Sequence, residues 1–336
     1  MEKIKEEIQE KTLKETENVS KSWKGDSRSA SQGQEWDKVK EMDFTYTNID
    51  KFIRLSLGEN AHFSNAMYDG DFTLTLEEAQ KRKYDFVIKE LNIKKGSKVL
   101  DLGCGWGGWL KYIQDEVGAI GVGVNLSRGQ IASCRRNGLD VYFQDARFIS
   151  PEDFGVFDAV TAFGSFEHVG TVNDYLTGKL DAVYDDYFKH VFNMLKPGGR
   201  FYMQSMVFSK NFVPYEKWDI NAPKDSNEFM VALLSKHNPD SWLAQGHEHI
   251  IRVAQPYFDK VFYSSGRLDY IRTNEVWTKM YWKFGFRKYM WFASFIPKFI
   301  VDKEFRHQLT LMRISPNRVC FKREIMDHAR LVFEKK

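Results

Sequence analysis

The sequence predicts a doubly wound α/β fold, in which a mainly parallel sheet carries helices on both faces. Between residues 76 and 207, short apolar runs alternate with stretches of helical periodicity, as is typical of βαβ units. One strand-to-helix turn is rich in glycine: the run Val99–Leu102 precedes residues 103–108, which include four glycines. A buried strand, a tight glycine turn and a helix begin many nucleotide-binding α/β folds.

The predicted elements follow one another regularly. Strands are predicted at 98–102, Ile120–Val124, Val141–Phe143, Phe157–Phe163 and Arg200–Val207. Helices are predicted at Leu76–Asn92, Trp109–Glu116 and Leu180–Leu195. Thr75 and Glu78 have the spacing of a capping box that begins the first helix. The C-terminal segment Glu324–Glu334 is predicted as a helix that runs into a final strand.

Composition excludes several classes of protein. The net charge of the 336 residues is +3, too small to indicate a nucleic acid partner. The three cysteines, Cys104, Cys134 and Cys320, lack the spacing of a disulfide framework or a zinc site, so no metal site is predicted. There is no apolar run of about 18 residues and no signal-like N-terminus. We therefore expect a cytoplasmic protein.

Two boundaries divide the chain. Residues 1–43 form a charged arm that we predict to be partly disordered, and whether it caps the active site is left open. Residues 44–336 form the main domain. Within it the strand–helix pattern breaks after Ser209, which predicts an insertion over about 209–300 that covers the substrate.

The stretch 276–301 has an unusual composition, with ten aromatic residues, five lysines or arginines and no acid. Two interpretations stay open. The stretch is either a pair of core-packing helices whose basic side chains extend to solvent, or an aromatic, basic surface for a hydrophobic or anionic-lipid substrate. A peripheral contact with a membrane is compatible with the second interpretation.

Asp101 indicates which ligand the glycine turn takes. A carboxylate at the tip of the first strand repels a pyrophosphate and attracts a cation, such as the ammonium group of S-adenosylmethionine. Gly103, Gly105 and Gly108 satisfy the G-x-G-x-x-G pattern, but NAD binding also favours an acid after the second strand, where this chain has Asn125. S-adenosylmethionine is therefore the expected cofactor. The alternatives are that the turn binds NAD, or that Asp101 only caps the turn.

Further polar residues follow the third and fourth strands. Asp145 comes after the third strand, where an adenine amino group would lie, and it can equally cap a helix. Glu167 and His168 follow the fourth strand, at the edge where doubly wound sheets bind ligands. A carboxylate or imidazole there can stabilise a developing cation or accept a proton. The alternative is that Glu167 and His168 have only structural roles.

Four motifs together resemble the cyclopropane-fatty-acid synthase family, which includes the mycolic acid cyclopropane synthases and related methyltransferases. They are Phe63–Tyr68, Thr75–Gln80, Val99–Gly107 and Phe166–His168. The resemblance implies a class I S-adenosylmethionine-dependent methyltransferase, with a seven-stranded sheet and a helical lid over an apolar substrate channel.

The resemblance also implies roles for particular residues. Glu167 matches the family's active-site glutamate and Tyr270 its active-site tyrosine, and His168 completes the predicted catalytic set. The predicted cofactor-binding residues are Phe63, Ser64, Asp101, Gly103, Gly105, Asn125, Leu126, Gln130, Asp145, Ala146, Arg147 and Phe163.

Two departures from the family pattern bear on the reaction. In the family's cyclopropane synthases, a cysteine and a histidine help to hold a bicarbonate that acts as base. Here Asn65 and Gln204 stand at those positions, which favours methylation of a hydrophobic acceptor over ring closure. The expected acceptor is a carbon of an unsaturated fatty acyl chain or a similar lipid. The alternatives are a cyclopropane synthase, an N-methyltransferase of a small amine, and a non-catalytic cofactor-binding subunit.

Overall fold

A computed structural model describes residues 43, 46, 50–58, 61–237, 241–303, 306 and 315–336. Apart from Asp43, the predicted arm over 1–43 lies outside the described residues. Whether the arm caps the site is therefore not addressed by the described residues. No helix within the described ranges is long and apolar enough to cross a membrane.

A single sheet organises the fold. Its strands are β1 (Lys98–Leu102), β2 (Ile120–Asn125), β3 (Asp140–Phe143), β4 (Phe157–Phe163), β5 (Leu195–Phe208), β6 (Phe258–Ser265) and β7 (Met326–Lys335). Their spatial order is β3-β2-β1-β4-β5-β7-β6. Neighbours from β3 to β5 are parallel, whereas β7 runs antiparallel to both β5 and β6. The predicted doubly wound, mainly parallel sheet is confirmed.

Helices cover both faces and one end of this sheet. They are α1 (50–57), α2 (Leu76–Glu90), α3 (Gly108–Glu116), α4 (Arg128–Arg136), α5 (Pro151–Phe154), α6 (Val172–Leu176), α7 (Leu180–Met194), α8 (Asn227–His237), α9 (His247–Ala254), α10 (Arg267–Trp282), α11 (Phe286–Ser294), α12 (Ile296–Val301) and α13 (Ser315–Lys322). The predicted capping box begins α2: the Glu78 N–H donates to Thr75 Oγ1 at 3.2 Å, and the Thr75 N–H donates to Glu78 Oε2 at 2.8 Å.

Alternate residues of the central strands face different helices. Leu100 belongs to the core that α7 covers, and its neighbour Val99 belongs to the core beneath α2 and α3. A third cluster joins α1, α10 and α11 to Trp106 of the glycine turn. There, the Phe52 ring lies 5.1 Å from that of Tyr281, so these helices pack together over one end of the sheet.

Two predicted boundaries are wrong. Glu324 belongs to no helix, because α13 ends at Lys322 and β7 begins at Met326. Since β7 lies between β5 and β6 and is buried on both faces, its apolar run lacks the alternation that marks a strand. Strand β5 begins at Leu195, before the predicted Arg200, because Leu195 pairs with Phe157 ahead of a register shift in β4.

Candidate functional site

A cavity of about 290 Å³ lies at the carboxyl ends of the parallel strands, where the strand order reverses between β1 and β4. This crevice is where open α/β sheets bind ligands. The glycine turn, the residues that follow β2 and β4, and helices α1 and α10 form its walls. Of the predicted insertion over 209–300, the described residues that line the cavity are Tyr270, Trp277 and Tyr281, all on α10.

The glycine turn needs its glycines for two reasons. Gly103 has a φ of +78°, and a Cβ there would lie 2.5 Å from Ser165 Cβ, so a side chain would push the turn away from the loop after β4. Gly105 also has a positive φ, but apart from its two chain neighbours no atom of the described residues lies within 4 Å of where its Cβ would be. Its backbone therefore borders the open space of the cavity.

Asn125 connects the glycine turn to α4. Its Nδ2 donates to Gly105 O at 3.1 Å and to Gln130 Oε1 at 2.9 Å, and its Oδ1 accepts the Leu126 N–H at 2.7 Å. All four residues line the cavity. Asn125 thus holds the backbone of the glycine turn and of the loop after β2 along the cavity wall.

The carboxylate of Asp101 has a cationic neighbour that sequence reasoning missed. Lys83 is completely buried and donates from Nζ to Ser64 Oγ at 2.6 Å and to Asn65 O at 3.0 Å. Burial raises the pKa of Asp101 to about 7, opposed by a hydrogen bond from Thr161 and by the Lys83 charge. Burial also lowers the pKa of Lys83 well below its usual range.

Lys83 leaves a signal in the sequence. Ala79 and Val87, four residues before and after it, are both buried on the inner face of α2. A lysine at that spacing is therefore a buried cation that needs partners. The charge of Lys83 consequently acts on Asp101 within the protein, and the charge of Asp101 alone does not identify a ligand.

The residues predicted to hold adenine border a second, smaller cavity. Asp145, Ala146 and Arg147 line it, together with five residues that it shares with the main cavity: Gly103, Asn125, Leu126, Ser165 and His168. Asp145 accepts the backbone N–H of Arg147 at 2.9 Å and pairs with its guanidinium at 2.7 Å. Asp145 therefore also caps the short turn that follows it, as the alternative interpretation expected.

Aromatic rings form much of the cavity wall. Phe63 stacks on Trp277 with ring centroids 4.6 Å apart and meets Trp106 edge-on at 5.9 Å. Phe163, at the end of β4, lies 5.4 Å from Trp109, and the Lys83 ammonium lies 5.2 Å from its ring. Both predicted aromatic residues thus lie in the cavity, each held by other rings.

Glu167 lines the cavity beyond the end of β4. Its Oε1 accepts the Met206 N–H at 2.8 Å. Burial raises its pKa to about 8, and the Met206 hydrogen bond opposes this only in part. Burial raises the pKa of Tyr46 to about 12 and raises the pKa of Tyr270 even more. The nearby Glu167 charge adds to both shifts. Glu167 is therefore largely protonated at neutral pH, and a cation beside it would lower its pKa.

His168 lines both cavities, and its Nδ1 lies 3.4 Å from Ser241 Oγ. It therefore lies beside Glu167 at the boundary between the two cavities.

A second histidine, His328 on β7, also lines the cavity and was missed by sequence reasoning. Asn65 Nδ2 donates to Gly266 O at 3.0 Å and lies 3.2 Å from His328 Nδ1, while Asn65 Oδ1 accepts the Thr273 hydroxyl at 3.2 Å. These partners fix the Asn65 amide, so Nδ1 of His328 accepts a hydrogen bond and Nε2 carries the proton. Burial lowers the pKa of His328, which keeps it neutral.

No local motif marks His328. The antiparallel register of β7 places it opposite Met206 on β5, and its ring lies 4.9 Å from that of Tyr270. Only the tertiary pairing of these strands brings it to the site.

The strand order, the single reversed strand β7 and the glycine turn after β1 define the class I methyltransferase fold. Residues 33–283 match the family model described as mycolic acid cyclopropane synthetase, and the chain belongs to that family. Solved structures agree on the fold. Cyclopropane synthase MmaA2 from Mycobacterium tuberculosis aligns with a TM-score of 0.67 at 19% identity, covering 88% of this chain and 98% of its own.

Curated relatives match over shorter regions. The cyclopropane-fatty-acyl-phospholipid synthase of Escherichia coli K12 is 35% identical over 147 residues, which is 43% of this chain and 35% of the relative. A hydroxymycolate synthase of Mycobacterium bovis is 32% identical over 175 residues, 51% of this chain and 54% of the relative. The matched regions thus span about a third and about half of these relatives' lengths.

Proposed function

We propose that this protein binds S-adenosylmethionine and transfers its methyl group to a carbon of an unsaturated lipid acyl chain. One observation carries the proposal: the carboxyl of Glu167, which is partly buried, lines the same cavity as the glycine turn and a group of aromatic rings. The names of the relatives support the substrate class, since they describe synthases that modify fatty acyl and mycolic chains. The solved structure of mycolic acid cyclopropane synthase CmaA1, which is 20% identical to this chain and aligns with a TM-score of 0.66, is described as complexed with SAH and CTAB.

The chain's own residues fit this cofactor. The Gly105 backbone and the Asn125 loop would hold its ribose, the second cavity with Asp145 would hold its adenine, and the Phe63–Ser64 segment would hold its amino-acid end. When bound, S-adenosylmethionine supplies a methyl group on a sulfonium centre. The cavity then has to orient an acceptor carbon in line with that methyl group, and such positioning supplies much of the rate.

Glu167 has two tasks in the proposed reaction. As the new carbon–carbon bond forms and the carbon–sulfur bond breaks, positive charge develops on the acyl chain. The Glu167 carboxylate and the rings of Tyr270 and Trp277 would stabilise that charge. A bound sulfonium would lower the pKa of Glu167, so the ionised carboxylate would then accept the proton that the alkylated chain loses.

Bicarbonate does not fit the position that the resemblance assigns to it. Both N–H groups of Asn65 have partners in the protein, Gly266 O and His328 Nδ1. Gln204 accepts the Tyr202 hydroxyl at 3.0 Å and donates to Asn65 O at 3.4 Å. We therefore assign no step to bicarbonate and give the proton to Glu167, which favours methylation over ring closure.

Product analysis with a CD₃-labelled donor tests this proposal. The full-length protein is incubated with labelled S-adenosylmethionine and a monounsaturated phospholipid dispersed in detergent, and the acyl chains are analysed by mass spectrometry. We expect labelled chains. Three retained deuteriums show that the proton left the chain, whereas two show that it left the transferred methyl, as ring closure requires. Absence of labelled lipid, with labelling of a small amine instead, would overturn the proposal.

A further inference from the structure

One surface of the protein exposes an unusual concentration of apolar side chains. Of the 18 exposed large hydrophobic residues among the described part of the chain, nine lie between residues 282 and 301. They are Trp282, Phe284, Phe286, Tyr289, Met290, Ile296, Phe299, Ile300 and Val301, which we name the aromatic platform. Large exposed apolar patches mark interaction sites on soluble proteins.

The platform is the outer side of a segment whose inner side is packed. Trp277, Tyr281 and Trp291 are buried, and Lys288 is buried with its ammonium donating to Met280 O at 3.0 Å and to Tyr281 O at 2.9 Å. These contacts hold α11 against the end of α10. Because the inner side already has its partners, the exposed rings on the outer side are not needed to close the core.

Charge favours an anionic occupant. Lys279, Lys283 and Arg287 are exposed along the platform, and residues 276–301 contain no acid. Exposed aromatic and aliphatic side chains next to cations are the composition that binds the interface of an anionic bilayer. Each Lys or Arg near such a surface contributes about 1 kcal/mol of attraction.

The platform is continuous with the cavity. Helix α10 lines the cavity with Tyr270, Trp277 and Tyr281, and its last residue, Trp282, is 80% exposed. At 1.5 Å per residue, Tyr270 and Trp282 are separated by about 18 Å along the helix. That distance is comparable with the thickness of one leaflet's hydrocarbon layer, about 15 Å.

We propose that the aromatic platform docks on an anionic phospholipid bilayer and that the acceptor acyl chain enters the cavity from that bilayer. The proposal deepens the proposed function and rests on it for the fate of the acyl chain. It identifies the acceptor as a membrane-resident phospholipid rather than an acyl group on a soluble carrier. The binding step itself is independent of the methyl transfer.

Vesicle flotation of the full-length protein tests the docking. The vesicles are phosphatidylcholine alone or with about 30% phosphatidylglycerol. Trp282, Phe284 and Phe286 are changed together to Ser, and a second variant carries Lys279→Gln, Lys283→Gln and Arg287→Gln. The matched control changes three exposed apolar residues elsewhere, Ile120, Leu176 and Val261, to Ser. Melting temperatures without lipid verify that every variant is folded.

We expect the wild-type protein and the control to bind anionic vesicles alike. The serine variant should bind at least about tenfold more weakly, and the glutamine variant should lose the preference for phosphatidylglycerol. Equal binding by the wild-type protein and the serine variant would overturn the proposal. So would a serine variant that changes only from dimer to monomer, because the platform would then be an interface between two copies.

Activity separates this proposal from the proposed function. On detergent-dispersed phospholipid the serine variant should turn over as fast as the wild-type protein, whereas on vesicles it should be slower by the factor lost in binding. If the wild-type protein methylates no dispersed lipid, the proposed function fails, and flotation still decides the docking. If both proteins are equally active on vesicles, the docking proposal fails alone.

Discussion

The two sides of the cavity are built differently. The cofactor side consists of loops that follow β1, β2 and β3, three neighbouring strands that are also close in the sequence. The side that we propose for the acceptor brings together Glu167 after β4, Tyr270 on α10 and His328 on β7, which lie far apart along the chain. The first can be read from local motifs, whereas the second depends on tertiary packing.

The two sides also differ in electrostatics. On the cofactor side, polar groups are bonded to one another, as in the Asn125–Gln130 contact and the Asp145–Arg147 pair. On the acceptor side, burial raises the pKa of Glu167 to about 8. The cofactor side is thus largely preorganised by hydrogen bonds, although burial also raises the pKa of Asp101 there to about 7. On the acceptor side, the charge of Glu167 depends on what binds. The following experiments test that division of roles.

The largest effect is expected from Glu167→Gln. This substitution keeps the size of the side chain but removes the charge and the proton acceptor, so turnover should fall by at least about a hundredfold. Binding of S-adenosylmethionine, measured by calorimetry, should change far less. Glu116→Gln, at an exposed position on α3, is the control. Turnover of the Glu167 variant within a few-fold of the wild-type protein would show that the acceptor side does not carry the chemistry.

Lys83→Met tests the preorganisation of the cofactor side. The change removes the donor to Ser64 and Asn65 and leaves Asp101 without its cationic neighbour, which should lower the free energy of unfolding by about 3 kcal/mol. The double variant with Asp101→Asn should recover part of this loss. Lys81→Met removes an exposed pair with Asp85 and a contact with the Tyr112 ring, and it should cost less than about 1 kcal/mol. Equal denaturation midpoints for the two single variants would contradict the role of Lys83.

The same division explains what the sequence could predict. Strands β1 to β4 and the glycine turn follow local rules of periodicity and turn chemistry, and the structure confirms them. Lys83 stands out only weakly in the sequence, because lysines are common on helices and its burial between Ala79 and Val87 shows only in the folded structure. His328 was missed because β7 has no polar alternation and its register with β5 is not encoded nearby.

The smallest effect is expected from removing dissolved bicarbonate. Because the Asn65 amide is bonded to Gly266 and His328, we expect the methyl-transfer rate to be the same in carbonate-free buffer and in buffer with added bicarbonate. Stimulation by bicarbonate would show that the Asn65–His328 contact opens during turnover, and that the proton does not go directly to Glu167.

Proton release on ligand binding tests most directly the central claim that the sulfonium group and the buried Glu167 share one cavity. Because burial raises the pKa of Glu167 to about 8, a cation that lowers this pKa displaces a proton at pH near 7. Calorimetry in buffers of different ionisation enthalpy should show more protons released by S-adenosylmethionine than by the uncharged thioether S-adenosylhomocysteine. The difference should disappear well above pH 8 and in Glu167→Gln. Equal release by both ligands, or a difference that persists in the variant, would contradict the account.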